Sequence, residues 1–277
     1  MARIDKGTRA IIEKWYKRLS FNTMYDEEFY SLLNGEYVTR VDYKISEYDM
    51  SEADGTKNLL SSLYMCEELS LIYNEKGICD EVLIDTLSDI PVATDSWYDL
   101  CGELTLGSMR WLSNHFNMKL FKLGRLQFGF GNAAYTIEDL GLKKGDSIIE
   151  VHIQGGGPLL LADCLSSFEY AIKFFDEYYK DYSYNFFTCY SWLLDKGLKD
   201  FLPEDSNILS FAGLFNIYET NKSDRLLNYI FKRGAAREDI ADAKPKSAFA
   251  AKIKDAILSG HDFYEAFGVI DKSFFTV

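Results

Sequence analysis

The chain has 277 residues, 47% of them hydrophobic and 16% aromatic, and its formal net charge is −13. This length is enough to bury a sizeable core, in one large domain or in two smaller ones. The negative charge argues against nucleic acid and against an anionic membrane surface as partners.

The chain lacks the sequence features of secreted, membrane and metal proteins. The first residues, MARIDKGTRAIIEKWYKR, contain neither the apolar run nor the cleavage site of a signal peptide, and no segment approaches the ~20 apolar residues of a membrane span. The cysteines are isolated, which is typical of reduced cytosolic thiols, and three histidines occur. The sequence therefore predicts a cytoplasmic protein without a metal, and it leaves the oligomeric state open.

The first half of the chain has helical periodicity. Short apolar patterns cover residues 8–19 and 25–33, and Gly77 is a suitable stop for a longer helix before it. Further helices are expected over residues 79–90 and up to about His115. The apolar stripes that predict the longer helix and the last one are formed by Leu59, Leu63, Cys66, Leu69 and Tyr73, and by Leu106, Met109, Leu112 and Phe116.

Asp85 and Asp89 lie four residues apart in the predicted helix over residues 79–90, so they share one face of it. Paired carboxylates can bind the amine of a cationic substrate. The alternative is a solvated face or a pair of cap-bonding side chains.

From about residue 120 the periodicity changes to that of strands. In residues 121–130 Leu126 and Phe128 fall on one side, and Arg125 and Gln127 on the other. Residues 147–154 alternate as well, and Glu150, His152 and Gln154 share a face there.

The strand over residues 147–154 breaks into three glycines and is followed by an amphipathic helix, and residues 184–194 resemble a second strand. Strand, helix and strand in this spacing predict a βαβ unit with parallel strands and a right-handed crossover. Two more helices are expected within residues 223–234 and 246–260.

The glycine junction, Gln154 to Gly157, is the most informative local feature. Glycines let the backbone approach a ligand closely, and a helix start carries partial positive charge, so such junctions often hold anionic groups. The junction is neither a P-loop nor a dinucleotide fingerprint, because no GKS or GKT follows and GGG does not fill GxGxxG. The alternative is a tight structural turn.

Four phrases carry a resemblance to a known family: LGRLQF at 123–128, VHIQGGGPL at 151–159, CYSWLLD at 189–195 and LPEDSNILSF at 202–211. In this order and spacing they resemble a bacterial family of acyltransferase-domain proteins. That family joins a helical N-terminal domain to a C-terminal domain similar to the GNAT acyl-CoA N-acyltransferases. The first half is similar too, through residues 79–90 and 111–116. The resemblance implies an α+β fold, with a helical N-terminal domain over residues 1–117 and a GNAT-like mixed sheet flanked by helices over residues 118–277.

The resemblance also implies acyl-CoA as the co-substrate and a small-molecule amine or a peptide as the acceptor. By analogy with the Q/R-x-x-G-x-G/A loop of GNAT folds, Gln154, Gly155, Gly156 and Gly157 would hold the pyrophosphate. Their spacing departs from that pattern, and Pro158 removes one N–H donor. Other residues that would contact the cofactor are Cys164, Ser206 and Asn207, with Lys232 and Arg233 as candidates for the 3′-phosphate.

Transfer to an amine needs a general base, a donor for the carbonyl oxygen and an acid for the thiolate. Glu150 and His152 have the chemistry of a base, and a main-chain N–H within residues 151–153 could polarise the carbonyl if the strands part there. Candidate acids are Ser191, Ser206 and Tyr218. Simpler roles stay open, with His152 half-buried and hydrogen-bonded, and Ser206-Asn207 as a helix N-cap.

Three more residues are candidates for substrate binding. Arg125 can bind a substrate carboxylate, or pair with Glu150 across the sheet. Gln127 is on the same predicted face, and Trp192 belongs to the core or stacks on a ligand.

Three functions therefore remain open. The first is an acyl-CoA-dependent N-acyltransferase that acts on an unknown amine. The second is a catalytically silent GNAT-like module that binds a ligand or a protein. The third is a structural or regulatory partner protein that docks through its helical half.

Overall fold

The computed structural model describes residues 4–35 and 55–275. The chain divides into two compact units, Met1–Leu123 and Gly124–Val277, whereas the sequence predicted a boundary at 117/118. Within the described ranges, no helix combines the length and the apolar character needed to cross a membrane.

The first unit is helical. Its helices begin with α1, where the carboxylate of Asp5 accepts hydrogen bonds from the main-chain N–H groups of Gly7 and Thr8 at 2.9 and 3.0 Å. Apolar faces of these helices form the core, in which Trp15, Phe29 and Leu63 are buried. The elements are α1 Lys6–Arg18, α2 Asp26–Asn34, α3 Gly55–Glu75, α4 Asp80–Leu87, α5 Asp89–Cys101, α6 Met109–Phe116 and the short strand β1 Leu120–Leu123.

The helix expected over residues 79–90 is in fact two helices, α4 and α5, which meet at Ser88. The Ser88 hydroxyl donates to the main-chain oxygen of Asp85 at 2.6 Å. Pro91 lies in the first turn of α5, where its missing N–H costs nothing, whereas inside one continuous helix it would break the hydrogen-bond ladder. Asp85 and Asp89 therefore belong to different helices and do not share a face of one.

The second unit contains β2 to β6, which form a mixed sheet in the order β2-β3-β4-β6-β5. Strands β3 and β4 are parallel and joined through α7, which confirms the predicted βαβ unit, and β2, β5 and β6 pair antiparallel with their neighbours. The elements are β2 Leu126–Asn132, β3 Ser147–His152, α7 Leu161–Tyr178, β4 Phe186–Ser191, α8 Asn207–Ala212, β5 Asn216–Lys222, α9 Leu226–Ile230, α10 Ala248–Leu258 and β6 Tyr264–Asp271.

Aromatic side chains pack α7 against one face of this sheet. Phe168 of α7 lies 5.5 Å from Phe128 of β2 and 5.0 Å from Phe187 of β4, measured between ring centroids. All three side chains are buried. The opposite face, which carries Glu150 and His152, is left for other contacts. The predicted α+β architecture is confirmed.

The strand expected over residues 121–130 is interrupted at Gly124 and Arg125, so β1 and β2 are separate strands. Gly124 has φ of +73°, and a Cβ there would lie 2.7 Å from the Ser167 hydroxyl oxygen, so the turn needs glycine. Arg125 lies in this turn and does not share a strand face with Gln127, which corrects the predicted alternation.

Candidate active site

The two parallel strands of the βαβ unit part before they end. Among the described residues, the ladder between β3 and β4 consists of the pairs Ile149–Phe187 and Glu150–Thr188. Both strands continue beyond these pairs, β3 to His152 and β4 to Ser191. The edge of β3 beyond Glu150 therefore borders an opening between the strands.

A cavity of about 270 Å³ lies on the sheet face at this opening. Glu150 and His152 line it, and the Nε2 atom of His152 lies 3.5 Å from the Oε2 atom of Glu150. Both side chains are partly exposed, so solvent and a ligand can reach them. The full lining consists of Asn132, Ala134, Tyr135, Ile148, Glu150, Val151, His152, Thr188, Tyr190 and Phe267.

Gly131 on the neighbouring strand makes room for the Glu150 carboxylate. A Cβ built at Gly131 would lie 2.5 Å from the Cγ atom and 2.7 Å from the Cδ atom of Glu150. Any other residue at this position would therefore displace the Glu150 side chain. The orientation of Glu150 depends on a glycine of β2.

The structure adds lining residues that the sequence analysis missed, chiefly Thr188 and Tyr190 of β4. Thr188 lies opposite Glu150 in the parallel register, and Tyr190 is 44% exposed, so its hydroxyl is accessible. The alternation of Phe186, Thr188 and Tyr190 along β4 is the signal that places them on one face. Tyr190 is a candidate acid that the sequence analysis did not name.

The glycine loop follows β3 directly and is held from one side by Arg125. The guanidinium donates three hydrogen bonds to main-chain oxygens, from Nη1 to Gln154 at 3.0 Å, from Nη2 to Gly157 at 2.9 Å and from Nε to Pro158 at 2.8 Å. The main-chain N–H of Arg125 donates to the Ser167 hydroxyl at 2.8 Å. Both ends of Arg125 are thus fixed.

The three hydrogen bonds from Arg125 determine the direction in which the N–H groups of the loop point. In a trans peptide the N–H points opposite to the C=O of the preceding residue, and the structure's described peptides contain no cis bond. The N–H groups of Gly155 and Leu159 therefore point away from the guanidinium. The peptide after Gly157 supplies no donor, because residue 158 is proline.

The space beside the loop is open. Among the residues with described positions, a Cβ at Gly155 or at Gly156 would meet no atom within 4 Å, and Gly156 has φ of +94°. The helix α7 begins nearby at Leu161 without a side-chain cap, and its first internal bond runs from the Cys164 N–H to the Leu160 oxygen. An exposed backbone with donors at the start of an 18-residue helix is suited to a phosphate group.

The predicted pair between Arg125 and Glu150 is not formed, because the guanidinium is engaged with the loop carbonyls. Burial lowers the pKa of Arg125 from its ordinary value.

Gln127 lies opposite His152 in the β2–β3 register and is only 1% exposed. Its Nε2 atom has no hydrogen-bond partner within residues 4–35 and 55–275.

Cys164 lies inside the structure, on the buried face of α7. It is buried, its N–H is used within the helix, and burial raises the pKa of its thiol to about 11. Gln154 is also buried, and its main-chain oxygen accepts from Arg125. Cys164 and Gln154 therefore support the start of α7 and the glycine loop from the buried side.

The predicted residues Ser191, Tyr218 and Trp192 are not among those that line the cavity. The Ser191 hydroxyl accepts from the Leu193 N–H at 3.2 Å and ends β4. Tyr218 of β5 packs against the apolar cluster around Ala133 and Ile137. Trp192 packs against a second apolar cluster, and its ring centroid lies 5.9 Å from that of Tyr229.

Ser206 and Asn207 stand at the start of α8. The Ser206 hydroxyl accepts from the Ile208 N–H at 3.3 Å, which makes it the N-cap that the sequence analysis weighed as an alternative. Asn207 is exposed, as are Lys232 and Arg233 after α9. Contact of these residues with a cofactor stays a prediction.

Asp85 and Asp89 both lie in the N-terminal unit, and their surroundings differ. Asp89 is buried, and its Oδ2 atom lies 2.9 Å from His115 Nε2 and accepts from Trp111 Nε1 at 2.8 Å. Burial raises the pKa of the half-buried Asp85. The pair therefore does not form a joint carboxylate site.

A larger groove of about 780 Å³ lies at the opposite end of the strands, where β3 and β4 begin at Ser147 and Phe186. It is far along the strands from the glycine loop, so we do not assign the chemistry to it. Within residues 4–35 and 55–275 no cluster of three His, Cys, Asp or Glu side chains has the geometry to hold a metal.

Comparison with known proteins agrees with this fold. The family model described as GNAT-like C-terminal domain matches residues 120–270. No curated protein sequence matches the chain.

Three solved structures share its fold. An acyltransferase in complex with CoA and 10C-teicoplanin is 19% identical, with a TM-score of 0.74 over 98% of this chain and 89% of that one. An acyltransferase with decanoyl-CoA is 20% identical, with a TM-score of 0.72 over 94% and 87%. An acyltransferase with decanoyl-CoA and teicoplanin is 23% identical, with a TM-score of 0.67 over 78% of this chain; the chain spans 66% of that structure's length.

Proposed function

The chain belongs to the family of the GNAT-like C-terminal domain, and from this membership we propose that it transfers an acyl group from coenzyme A to the amine of a small molecule or a peptide. The observation that carries the proposal is the opening between β3 and β4 beyond Glu150 and Thr188. It lies over a cavity that contains a carboxylate and an imidazole, and next to the glycine loop.

The reaction joins the amine nitrogen to the thioester carbonyl carbon, and the carbon–sulfur bond breaks. The amine proton passes to a base and the departing thiolate takes a proton from an acid. In this proposal Glu150, directly or through His152, accepts the first proton, and the Tyr190 hydroxyl supplies the second. The β3 edge beyond Glu150 supplies main-chain donors for the carbonyl oxygen.

The loop that Arg125 holds would take the pyrophosphate, with the N–H groups of Gly155 and Leu159 and the start of α7 as donors. His152 precedes Gln154 by two residues, roughly 7 Å along a strand. The thioester end of the co-substrate would therefore lie beside the cavity while its pyrophosphate lies on the loop.

The solved structures support this choice of co-substrate and widen the choice of acceptor. Those acyltransferases hold CoA or decanoyl-CoA, and two of them hold teicoplanin or an acylated teicoplanin. For this chain we propose an acyl-CoA as donor and an amine acceptor, with a glycopeptide amine among the acceptors to be tested.

Two measurements test the proposal, one of binding and one of turnover. Because a ligand that binds only the folded state raises the melting temperature, CoA and acyl-CoAs are titrated in a thermal-shift assay. Release of free CoA thiol is then followed with a panel of amines. Gly155→Ala is expected to fold normally, since its Cβ would meet no atom of the described residues within 4 Å, and to lose the shift because the methyl group occupies the proposed pyrophosphate position.

Glu150→Gln is the matching test of turnover. We expect it to keep the acyl-CoA shift and to lose about 100-fold or more in turnover, as for removal of a general base. Glu169→Gln, an exposed change on α7, serves as control. If CoA and the acyl-CoAs give no shift with the wild-type protein, the proposal is wrong.

A catalytically silent binding module remains a second candidate. Pro158 removes one donor from the loop, and Asp163 places a carboxylate in the first turn of α7. A melting-temperature shift that Gly155→Ala abolishes, without thiol release on any amine, would favour this function over the transferase.

A further inference from the structure

The cavity beside Glu150 is polar on one side and apolar on the other. Glu150 and His152 stand on β3, whereas Phe267 stands on β6, with β4 between them. Two strand spacings separate the two sides, about 10 Å. The cavity thus extends along the face of the sheet, over β4, from the proposed reaction centre to an aromatic wall.

Two rings form that wall. Phe267 is 4% exposed, and the centroid of its ring lies 5.1 Å from that of Tyr135, at an interplanar angle of 58°. Phe267 also belongs to a buried cluster with Ile148 and Val269, among others. Close-packed side chains resist displacement, so the wall has a fixed position.

The size of the cavity limits what it can enclose. At about 270 Å³ it falls just below the ~300–1,000 Å³ of sites that hold a drug-sized ligand. It can therefore enclose only one part of an acyl-CoA. Its far wall is hydrocarbon and aromatic, which suits an alkyl chain better than a charged or polar acceptor.

We propose that the acyl chain of the donor lies in this cavity and passes over β4, and that Tyr135 and Phe267 set the longest chain accepted. Short and medium linear acyl groups are then preferred to long-chain fatty acyl groups. This inference rests on the proposed acyl-CoA function. Each methylene buried before the wall strengthens binding about fourfold, and methylenes beyond the wall add nothing or clash.

The test compares binding of acetyl-, butyryl-, hexanoyl-, octanoyl-, decanoyl- and palmitoyl-CoA by isothermal titration calorimetry. In the wild-type protein, affinity rises with length and then stops rising or falls. Tyr135→Ala and Phe267→Ala open the wall and move the optimum to longer chains. Ala134→Phe, at an exposed lining position, moves the optimal chain length to shorter chains. This variant removes no side chain from the core.

Tyr218→Ala is the matched control, because Tyr218 packs against the same apolar cluster but is not among the cavity residues. It should leave the optimum unchanged, and free CoA should bind all variants equally. An unchanged optimum in all three cavity variants, with CoA binding intact, overturns the inference even if the transferase function holds. A change confined to the KM of the amine overturns it too, since the cavity then holds the acceptor. If no CoA compound binds the wild type, the proposed function and the inference fall together.

Discussion

The Nη1 atom of Arg125 lies 3.0 Å from the main-chain oxygen of Gln154, the first residue of the glycine loop. The same guanidinium binds the oxygens of Gly157 and Pro158, so one side chain holds both ends of the loop. A loop rich in glycine is costly to order, and these three bonds offset that cost. They also turn the N–H groups toward the open side.

Replacement of Arg125 by methionine should therefore weaken CoA binding. Loss of even one charged hydrogen bond, about 1.5 kcal/mol, raises a dissociation constant roughly tenfold. Arg125→Lys should lie between, because an ammonium cannot match the planar fork. The measurement is calorimetric titration of CoA, with Arg110→Met, an exposed change in the N-terminal unit, as control. Unchanged CoA affinity in Arg125→Met would show that the loop is ordered by other means.

Gln127 gives a prediction with an unusual sign. Its buried Nε2 atom has no partner in the part of the chain that the structure describes, and an unsatisfied buried polar group costs about 1–3 kcal/mol. Gln127→Leu should therefore raise the free energy of unfolding by about 1 kcal/mol, measured by urea denaturation. If Gln127 binds a ligand, the same change also reduces the melting-temperature shift with acyl-CoA.

The control for Gln127 is Asn58, a buried amide that has a partner. Its Nδ2 atom donates to the main-chain oxygen of Leu106 at 3.1 Å. Asn58→Leu should lower the free energy of unfolding by about 1–3 kcal/mol, because the Leu106 oxygen loses its donor. A destabilised Gln127→Leu variant would contradict our account of that residue.

The sequence predicted those elements in which the buried side chains recur at one regular spacing. The alternation in residues 147–154 placed Glu150 and His152 on one face, and their side chains lie 3.5 Å apart. The strands β5 and β6 were missed for opposite reasons. Strand β6 is buried on both faces and shows no alternation, whereas β5 is an exposed edge strand with a register shift between Ile217 and Glu219.

The site was harder to predict because its relationships are tertiary. Arg125 faces a loop about thirty residues further along the chain, and no local pattern specifies that contact. Tyr135 comes from a connection between strands, and Phe267 from a strand that was not predicted. Period-two alternation could have found Thr188 and Tyr190, but only the register of β3 against β4 places Thr188 opposite Glu150.

The buried pair of Asp89 and His115 should be a main support of the N-terminal unit. The Nδ1 atom of His115 lies 3.1 Å from the main-chain oxygen of Leu120, which can only accept, so Nδ1 carries a hydrogen. Asp89 engages the other ring nitrogen and the Trp111 N–H. Asp89→Ala would remove the carboxylate that engages the buried imidazole and the Trp111 N–H, and we expect a loss of about 3 kcal/mol in the free energy of unfolding.

The control is Asp99→Ala on the same helix, since Asp99 is exposed and surface changes stay within about 0.5 kcal/mol. Trp111→Phe should lie between the two variants, because it removes one hydrogen bond, about 1 kcal/mol. Equal unfolding curves for Asp89→Ala and Asp99→Ala would refute a structural role for the pair.

The cysteines give a prediction that depends on pH. Burial raises the pKa of the Cys164 thiol to about 11 and that of Cys189 to about 12, whereas an unfolded thiol ionises near pH ~8.5. Below that pH both states keep the protons. Above it the unfolded chain loses protons that the native state retains, so the free energy of unfolding falls as the pH rises toward 11 and 12.

Two measurements check this account. Brief alkylation with iodoacetamide at mildly alkaline pH, followed by mass spectrometry, should label the exposed Cys79 and Cys101 and spare the buried Cys66, Cys164 and Cys189 until the protein is denatured. Urea denaturation across the alkaline range should show a shallower fall for Cys189→Ala than for Cys79→Ala, since Cys189→Ala removes a thiol whose pKa burial raises, whereas the Cys79 side chain is exposed. Rapid labelling of Cys164 in the native protein would contradict its buried position at the start of α7, and with it the proposal that a ligand binds the exposed face of that helix start.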